Sequence, residues 1–254
     1  MRLTFDPNTD SGLPIWSPDG GKILFCRLQG GNAKAGIYEK ASSGAGSEEV
    51  LLASDSSDVN LWPNDWSRDG RFILYSRGDT PPSRRGELWV LPLVGDGKPR
   101  LFIRNPPAVY DGQFSPDGRW VAYTSKESGR AEVYVTPFDS AQVMRSGNGA
   151  SAVAPSGKWQ ITTNGAEYPR WRRDGKEILF LAPDNRVMAA EVEAKGASLQ
   201  VGAVKPLFDA LPQRWGAPFD VSADGKGFVI VSLGGPEHSS PITLVVNWPA
   251  RIGQ

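Results

Sequence analysis

The sequence is poor in the residues that carry most metal and nucleophilic chemistry. Among 254 residues there is one cysteine, Cys26, and one histidine, His238. A single cysteine cannot form an internal disulfide, and cysteine-based zinc sites need further ligands. Cys26 ends an Ile-Leu-Phe-Cys run, which favours a buried strand position over a reactive thiol. We therefore expect no metal site and no cofactor, and the scarcity of histidine disfavours hydrolytic triads.

The sequence also lacks an excess of charge of either sign. Lysine and arginine together number 28, as do aspartate and glutamate, so the formal net charge is zero. Nucleic-acid binding is disfavoured because it depends on basic residues that neutralise phosphates. No apolar run approaches the roughly 20 residues of a membrane helix, and the N-terminal residues lack the apolar core of a signal peptide. The sequence predicts no membrane insertion and carries no export signal of its own.

Glycine and proline are plentiful, at 29 and 21 residues, and Asp-Gly pairs recur about every 50 residues along the whole chain. The pairs are Asp19-Gly20, Asp69-Gly70, Asp117-Gly118, Asp174-Gly175 and Asp224-Gly225. Aligned on these pairs, the segments read WSPDGGKILF (16–25), WSRDGRFILY (66–75), FSPDGRWVAY (114–123), WRRDGKEILF (171–180) and VSADGKGFVI (221–230). Asp-Gly favours a tight turn with positive φ, and aromatic and β-branched residues favour the flanking strands. Each segment therefore predicts a β-hairpin.

Further short strands are predicted on either side of each hairpin. Those that follow a hairpin are 36–38, 87–91, 132–135, 187–190 and 242–246. Those that precede one are 3–5, 50–52, 100–103, 159–162 and 205–208. Four short antiparallel strands per roughly 50 residues is the period of a β-propeller blade.

The predicted fold is thus all-β, a single propeller domain over residues 1–254 with five four-stranded blades. A β-sandwich is the alternative, but it does not require five copies of one hairpin. Pairing 3–5 with 242–246 would close the ring and remove exposed strand edges, which predicts a monomer. A piece of a larger ring remains open as an interpretation. We expect a flexible surface loop over 139–158, which is rich in serine, glycine and alanine, and no amphipathic helix.

Two sets of repeated side chains could serve structure or function. The turn aspartates are expected to accept backbone N–H groups within their own hairpins, and the aromatic residues that open the repeats are expected to pack between blades, with sugar stacking as the alternative. The turn aspartates are Asp19, Asp69, Asp117, Asp174 and Asp224; the aromatic residues are Trp16, Trp66, Phe114 and Trp171, with Val221 as the exception.

The residues immediately before those aromatics should lie near one mouth of the central channel, because the first strand of each blade lines it. They are Ile15, Asp65, Gln113, Arg170 and Asp220, with Asn64, Asp111, Glu167 and Tyr168 nearby in sequence. Asp65, Asp111, Gln113, Arg170 and Asp220 are the candidate ligand-binding residues. They form either a solvated channel wall or a site for a cation, a peptide terminus or a polar ligand.

The hairpin segments resemble the TolB-type, WD-repeat-like β-propeller family, whose hallmark W-S-P-D-G-[KR]-x-[IVL]-[AVL]-[FY] is closely matched at 16–25 and 114–123. The chain also resembles the C-terminal propeller of acidobacterial-type serine/threonine protein kinases. The segments that carry this second resemblance are RLTFDP (2–7), ELWVLPL (87–93), FSPDGRWVAYTSKESGRAEVYVTPF (114–138), KWQITTNG (158–165), PRWRRDGKEILFLAPD (169–184) and ITLVVNWPA (242–250). The resemblance implies an extracytoplasmic sensor or docking region.

The sequence contains none of the motifs of a kinase catalytic domain and no G-x-S-x-G of a propeller-linked peptidase. The expected function is therefore a non-catalytic module that binds a protein or peptide. The alternative is an enzyme acting on a glycan or small polar ligand through carboxylates in the channel.

Overall fold

The computed structural model describes residues 11–28, 34–56, 59–78, 86–104, 108–146, 156–210, 218–222, 225, 227–231 and 242–246, the last of these for the backbone alone. Within them the chain forms five antiparallel sheets, which confirms the all-β prediction. The first sheet contains β1 (Ser11–Trp16), β2 (Lys22–Arg27), β3 (Gly36–Ala41) and β4 (Glu49–Ala53). The second contains β5 (Asn60–Trp66), β6 (Phe72–Gly78), β7 (Gly86–Pro92) and β8 (Arg100–Arg104).

The remaining three sheets follow the same plan. The third contains β9 (Val109–Phe114), β10 (Trp120–Ser125), β11 (Glu132–Pro137) and β12 (Trp159–Gln160). The fourth contains β13 (Glu167–Trp171), β14 (Glu177–Leu181), β15 (Arg186–Lys195) and β16 (Ser198–Asp209). The fifth contains β17 (Phe219–Val221), β18 (Gly227–Val231) and β19 (Ile242–Val246). Strand order follows chain order in every sheet, as in the blades of a β-propeller.

Successive sheets pack face to face through apolar clusters, one at each of the four junctions from the first sheet to the fifth. The cluster between the second and third sheets includes Leu74, Leu88 and Tyr123, all almost fully buried. Burying each such side chain contributes about 1.5–3 kcal/mol. The first strands of neighbouring sheets, β1, β5, β9 and β13, also contact one another in turn. The sheets therefore behave as blades whose first strands lie innermost, and we number the blades one to five in chain order.

The segment 139–158, predicted as a flexible loop, begins instead with a short helix, α1 (Ser140–Arg145). The Asp139 side chain caps it by accepting the Gln142 N–H at 3.0 Å. Val143 is fully buried in the cluster between blades two and three, and the Arg100 guanidinium donates to the Ser146 carbonyl at 2.8 Å. The prediction was wrong here because two adjacent apolar anchors give no readable helical period.

Some sequence predictions lie outside the described residues, among them strand 3–5 and its pairing with 242–246, Asp224 and His238. Ring closure and the single-domain boundaries stay predictions. Across the part of the chain that the structure describes, no helix has the length and apolarity needed to cross a membrane.

Candidate functional site

The turn aspartates are used within their own hairpins. In blade three the Asp117 carboxylate accepts the Ser115 hydroxyl at 2.6 Å and the Arg119 N–H at 3.2 Å. The Ser115 Oγ accepts the Trp120 N–H at 2.9 Å, and the Gly118 φ is +69°. These bonds close the turn locally and hold the pKa of Asp117 below its usual value against the opposing effect of burial.

The same turn recurs with small changes. Asp19 and Asp69 accept the hydroxyls of Ser17 and Ser67 at 2.5 and 2.6 Å. In blade four an arginine replaces this serine, so Asp174 accepts the Lys176 N–H at 3.0 Å and lies 3.7 Å from the Arg172 guanidinium, which also pairs with Glu177. In blade five Ser222 Oγ accepts the Gly227 N–H at 2.8 Å. The four turn aspartates that the structure describes, including Asp117, therefore lie on separate blades and do not form a common site.

The residue before the repeat aromatic joins one blade to the next. The Asp65 Oδ2 of blade two accepts the backbone N–H of Phe114 of blade three at 2.8 Å. The Gln113 Oε1 of blade three accepts the backbone N–H of Trp171 of blade four at 2.5 Å. We call these two contacts the interblade clamps. The sequence does not reveal the clamps, because the spacing within one repeat does not show which group of the next blade lies opposite.

The clamp position does not contain an acceptor in every blade. Blade one has Ile15 there, and blade four has Arg170, whose Nη1 donates to the Pro169 carbonyl at 2.8 Å. In blade five the Asp220 carboxylate accepts the N–H of its own neighbour Val221 at 2.8 Å, and the residue is exposed. Backbone clamping is thus found at the junctions between blades two, three and four.

A β-bulge interrupts the innermost strand of each of the first four blades, just before the clamp position. Three bulged residues have positive φ although none is glycine: Leu13 at 53°, Asp111 at 53° and Tyr168 at 59°. They occupy one position of the repeat, three residues before the aromatic, where blades two and five have Pro63 and Pro218. Left-handed backbone at such residues costs of the order of 1 kcal/mol or more and is kept only where surrounding structure imposes it. Bulges re-aim side chains.

The candidate residues from four blades act on one another electrostatically. Asp65 of blade two is influenced by Arg170 of blade four and Asp220 of blade five, and Asp111 of blade three by Arg170 and Glu167. Side chains of non-adjacent blades can approach one another only across the central axis. We therefore define the channel cluster as Asp65, Asp111, Glu167, Arg170 and Asp220.

Two carboxyl groups of the channel cluster have strongly raised pKa values. Burial raises the pKa of Asp65 to about 7; the Phe114 and Trp66 N–H groups and Arg170 oppose that shift, and Asp220 adds to it. Burial likewise raises the pKa of Asp111 to about 7, with Arg170 opposing and Glu167 adding. Both residues retain some solvent exposure as whole residues, but protein surrounds their carboxyl groups. Near neutral pH both the protonated and the ionised form of each group are therefore populated.

The acceptors of the channel cluster are unequally satisfied. Glu167 accepts the hydroxyl of Tyr110 at 2.8 Å, a bond between blades four and three. Asp65 accepts Phe114. By contrast, the Oδ2 of Asp111 is buried and has no hydrogen-bond partner among the described residues. Sequence analysis placed Asp111 near the channel but missed the bulge that displaces it and the Tyr110 contact beside it. Proline at the equivalent position of two other blades was the available signal.

Two features of the described part of the chain concern the geometry that metal ligands require and the reactivity of the Cys26 thiol. No group of three or more histidine, cysteine, aspartate or glutamate side chains there is arranged to hold a metal ion. Cys26 is buried, its Sγ donates to the Gly12 carbonyl, and burial raises its thiol pKa to about 11, so it is not a thiolate at neutral pH.

Known proteins with similar sequences or structures show which fold this chain shares. No protein-family model matches the chain. An uncharacterised protein of Agrobacterium fabrum is 27% identical over 187 residues, which are 70% of this chain and 60% of that protein. The Tol-Pal system protein TolB of Bordetella pertussis is 25% identical over 126 residues, 50% of this chain and 27% of TolB. The chain thus spans 60% and 27% of the length of these two relatives, less than two thirds of each.

Solved structures agree over nearly the whole chain. TolB from Acinetobacter baumannii superposes with a TM-score of 0.67 at 17% identity, covering 94% of this chain and 52% of TolB. A structure assigned to TolB from Agrobacterium tumefaciens gives 0.62 at 22% identity, covering 96% and 79%. An oligogalacturonate lyase in complex with manganese gives 0.60 at 10% identity, covering 98% and 65%. The chain has a TolB-like β-propeller fold.

Proposed function

We propose that this chain is a non-catalytic propeller module that binds a protein or peptide partner at the channel cluster. The proposal is supported by the electrostatic influence of Arg170, Asp220 and Glu167 on Asp65 and Asp111, which involves side chains from four blades. The turn aspartates are consumed by local hydrogen bonds, whereas the channel cluster retains a buried acceptor without a partner. Buried polar groups without partners are uncommon, and ligand contact is one way to satisfy them.

The comparisons support a protein partner rather than identify one. The Bordetella relative is named as a component of the Tol-Pal system, and a propeller presents a rigid channel mouth around which a peptide can be held. The finer proposal, that the module is the docking region of a bacterial serine/threonine kinase, rests on the sequence segments that resemble such propellers.

Selection of peptides from a random display library on the immobilised full chain tests the binding function. Enriched peptides, resynthesised, should bind the unmodified chain and lose at least about tenfold in affinity for the double variant Asp65→Asn, Asp111→Asn. Asparagine keeps an acceptor for Phe114 and tolerates left-handed backbone, so this variant should fold.

Asp209→Asn is the matched control, because it removes one carboxylate from the outermost strand of blade four, where the side chain is 90% exposed. It should bind the selected peptides like the unmodified chain. Equal binding to the double variant would move the site off the channel, and failure to enrich any peptide would contradict the binding function.

One observation favours an enzyme as the second candidate. Carboxyl groups with raised pKa values can act as general acids on glycans, and a structural neighbour is an oligogalacturonate lyase. Incubating the chain with oligogalacturonates and following the ultraviolet absorbance of unsaturated products tests this directly. Under the binding proposal no turnover is expected. Turnover that Asp65→Asn or Asp220→Asn abolishes would establish the enzyme instead.

A further inference from the structure

Resting on the proposed function, we propose that the channel cluster recognises a cationic nitrogen group, a primary ammonium or a guanidinium, on the bound partner. The cluster combines four carboxyl groups with one cation. Among the described residues that act electrostatically on Asp65 and Asp111, Arg170 is the single positive charge. Full ionisation would therefore leave more negative than positive charge among the described residues of the channel cluster.

Arg170 does not neutralise this charge by direct contact. Its Nη1 donates to the carbonyl of the preceding residue, Pro169, at 2.8 Å. Within the described ranges no ion pair joins Arg170 to Asp65 or Asp111. The guanidinium therefore acts on the two carboxyl groups through space, and their pKa values stay raised despite its presence.

The second observation is the unsatisfied acceptor. The buried Oδ2 of Asp111 lacks a donor among the described residues, although the left-handed backbone at this residue fixes its position. The neighbouring acceptors are occupied: Asp65 Oδ2 by the Phe114 N–H, and Glu167 Oε1 by the Tyr110 hydroxyl. A ligand that donates an N–H and carries positive charge supplies the hydrogen bond that Asp111 Oδ2 lacks and a positive charge opposite the carboxylates.

Other ligand classes fit less well. An anion would meet four carboxyl groups, and a neutral acceptor would leave Asp111 Oδ2 without a donor. A metal ion needs several convergent ligands, which the described residues do not provide. A lysine or arginine side chain, or a peptide N-terminus, supplies directional N–H groups on a chain narrow enough to enter a channel.

Binding of such a cation should be linked to proton release. The cation favours the ionised form of both aspartates, so affinity should rise as pH increases through about 7. The titratable groups that face the two aspartates are Arg170, Asp220 and Glu167, with Tyr110 bonded to Glu167. Burial and Glu167 raise the pKa of the Tyr110 hydroxyl, so it remains a donor throughout this range.

Nuclear magnetic resonance titration of the full chain with simple amines tests the chemistry independently of any partner. The probes are n-butylammonium, tetramethylammonium, which has the same charge without N–H donors, and neutral n-butanol. The reporters are the backbone amide of Phe114, which is bonded to Asp65, and the side-chain carboxyl carbons of Asp65 and Asp111. Only n-butylammonium should give saturable shifts, with affinity about tenfold higher at about pH 8 than at about pH 6.

The Asp65→Asn, Asp111→Asn variant should lose these shifts and Asp209→Asn should retain them. Absence of saturable shifts, equal shifts with tetramethylammonium, or affinity independent of pH would overturn the inference. Enriched display peptides that bind at the channel but contain no basic residue would also overturn it, while leaving the binding function intact.

Discussion

Turn aspartates and channel aspartates occur in the same repeat, four to six residues apart, yet their environments are opposite. Asp117 receives its hydrogen bonds from residues within its own hairpin, and these lower its pKa. Asp65 and Asp111 lie where blades meet, and burial raises their pKa values to about 7. One position of a repeat can therefore have a local, structural role, while the environment of another position depends on the neighbouring blades.

The largest expected difference between the two classes is in the pH dependence of stability. Asp65 and Asp111 hold protons in the folded state that they lose in the unfolded state between their ordinary pKa, 3.8, and about 7. They therefore reduce stability progressively as pH rises through that window.

The double variant Asp65→Asn, Asp111→Asn should remove this loss. Its free energy of unfolding, from urea titrations at about pH 5 and about pH 8, should fall less with pH than that of the unmodified chain, by up to a few kcal/mol. The control Asp117→Asn should leave the decline between these two pH values unchanged. Parallel curves for the double variant would contradict the raised pKa values.

The interblade clamp gives the next largest effect. Asp65→Ala leaves the N–H of Phe114, a buried residue, without its acceptor, which should cost about 1–3 kcal/mol in unfolding free energy. Asp65→Asn keeps an acceptor oxygen and should cost much less. Urea denaturation of the two variants side by side at about pH 5 measures both losses, and because neither variant has the carboxyl group, charge does not enter the comparison between them. Equal losses would show that the clamp contributes nothing.

Breaking a turn should have a smaller effect. Ser115→Ala removes the acceptor of the buried Trp120 N–H and the hydroxyl partner of Asp117, so a loss of about 1 kcal/mol is expected. Amine binding at the channel should not change, which the same titration with n-butylammonium checks. Altered binding in this variant would show that the two regions are coupled.

The smallest effect is expected in blade four. Asp174 has no serine partner in its turn, and its ion pair with Arg172, at 3.7 Å, is partly exposed and shared with Glu177. Asp174→Ala should therefore lower the free energy of unfolding by no more than about 0.5 kcal/mol. This loss should be smaller than that caused by Asp117→Ala. Thermal denaturation of the two variants side by side makes the comparison. A larger loss for Asp174→Ala would show that the serine is not what distinguishes the turns.

The sequence predicted the features that depend on neighbours along the chain. The hairpin around Asp117-Gly118 and the strands beside it follow from turn chemistry and from the aromatic and β-branched residues that flank the turn, and the structure contains them. The contact between Gln113 and Trp171 was not predictable, because it depends on the angle between two blades. The helix at Ser140–Arg145 is held by the buried Val143 and the partly buried Met144, two adjacent residues that give no helical period in the sequence.

The bulge on the innermost strands has a consequence for redesign. In the three blades where the bulged residue has positive φ, that position holds leucine, aspartate and tyrosine, so the left-handed backbone there is imposed by strand pairing rather than by the side chain. Such a position accepts different side chains while the backbone conformation stays the same. Asparagine, which tolerates left-handed backbone, is the natural first choice at Leu13. Substitutions at this position could then change ligand recognition at the channel one blade at a time, without changing the surrounding sheets.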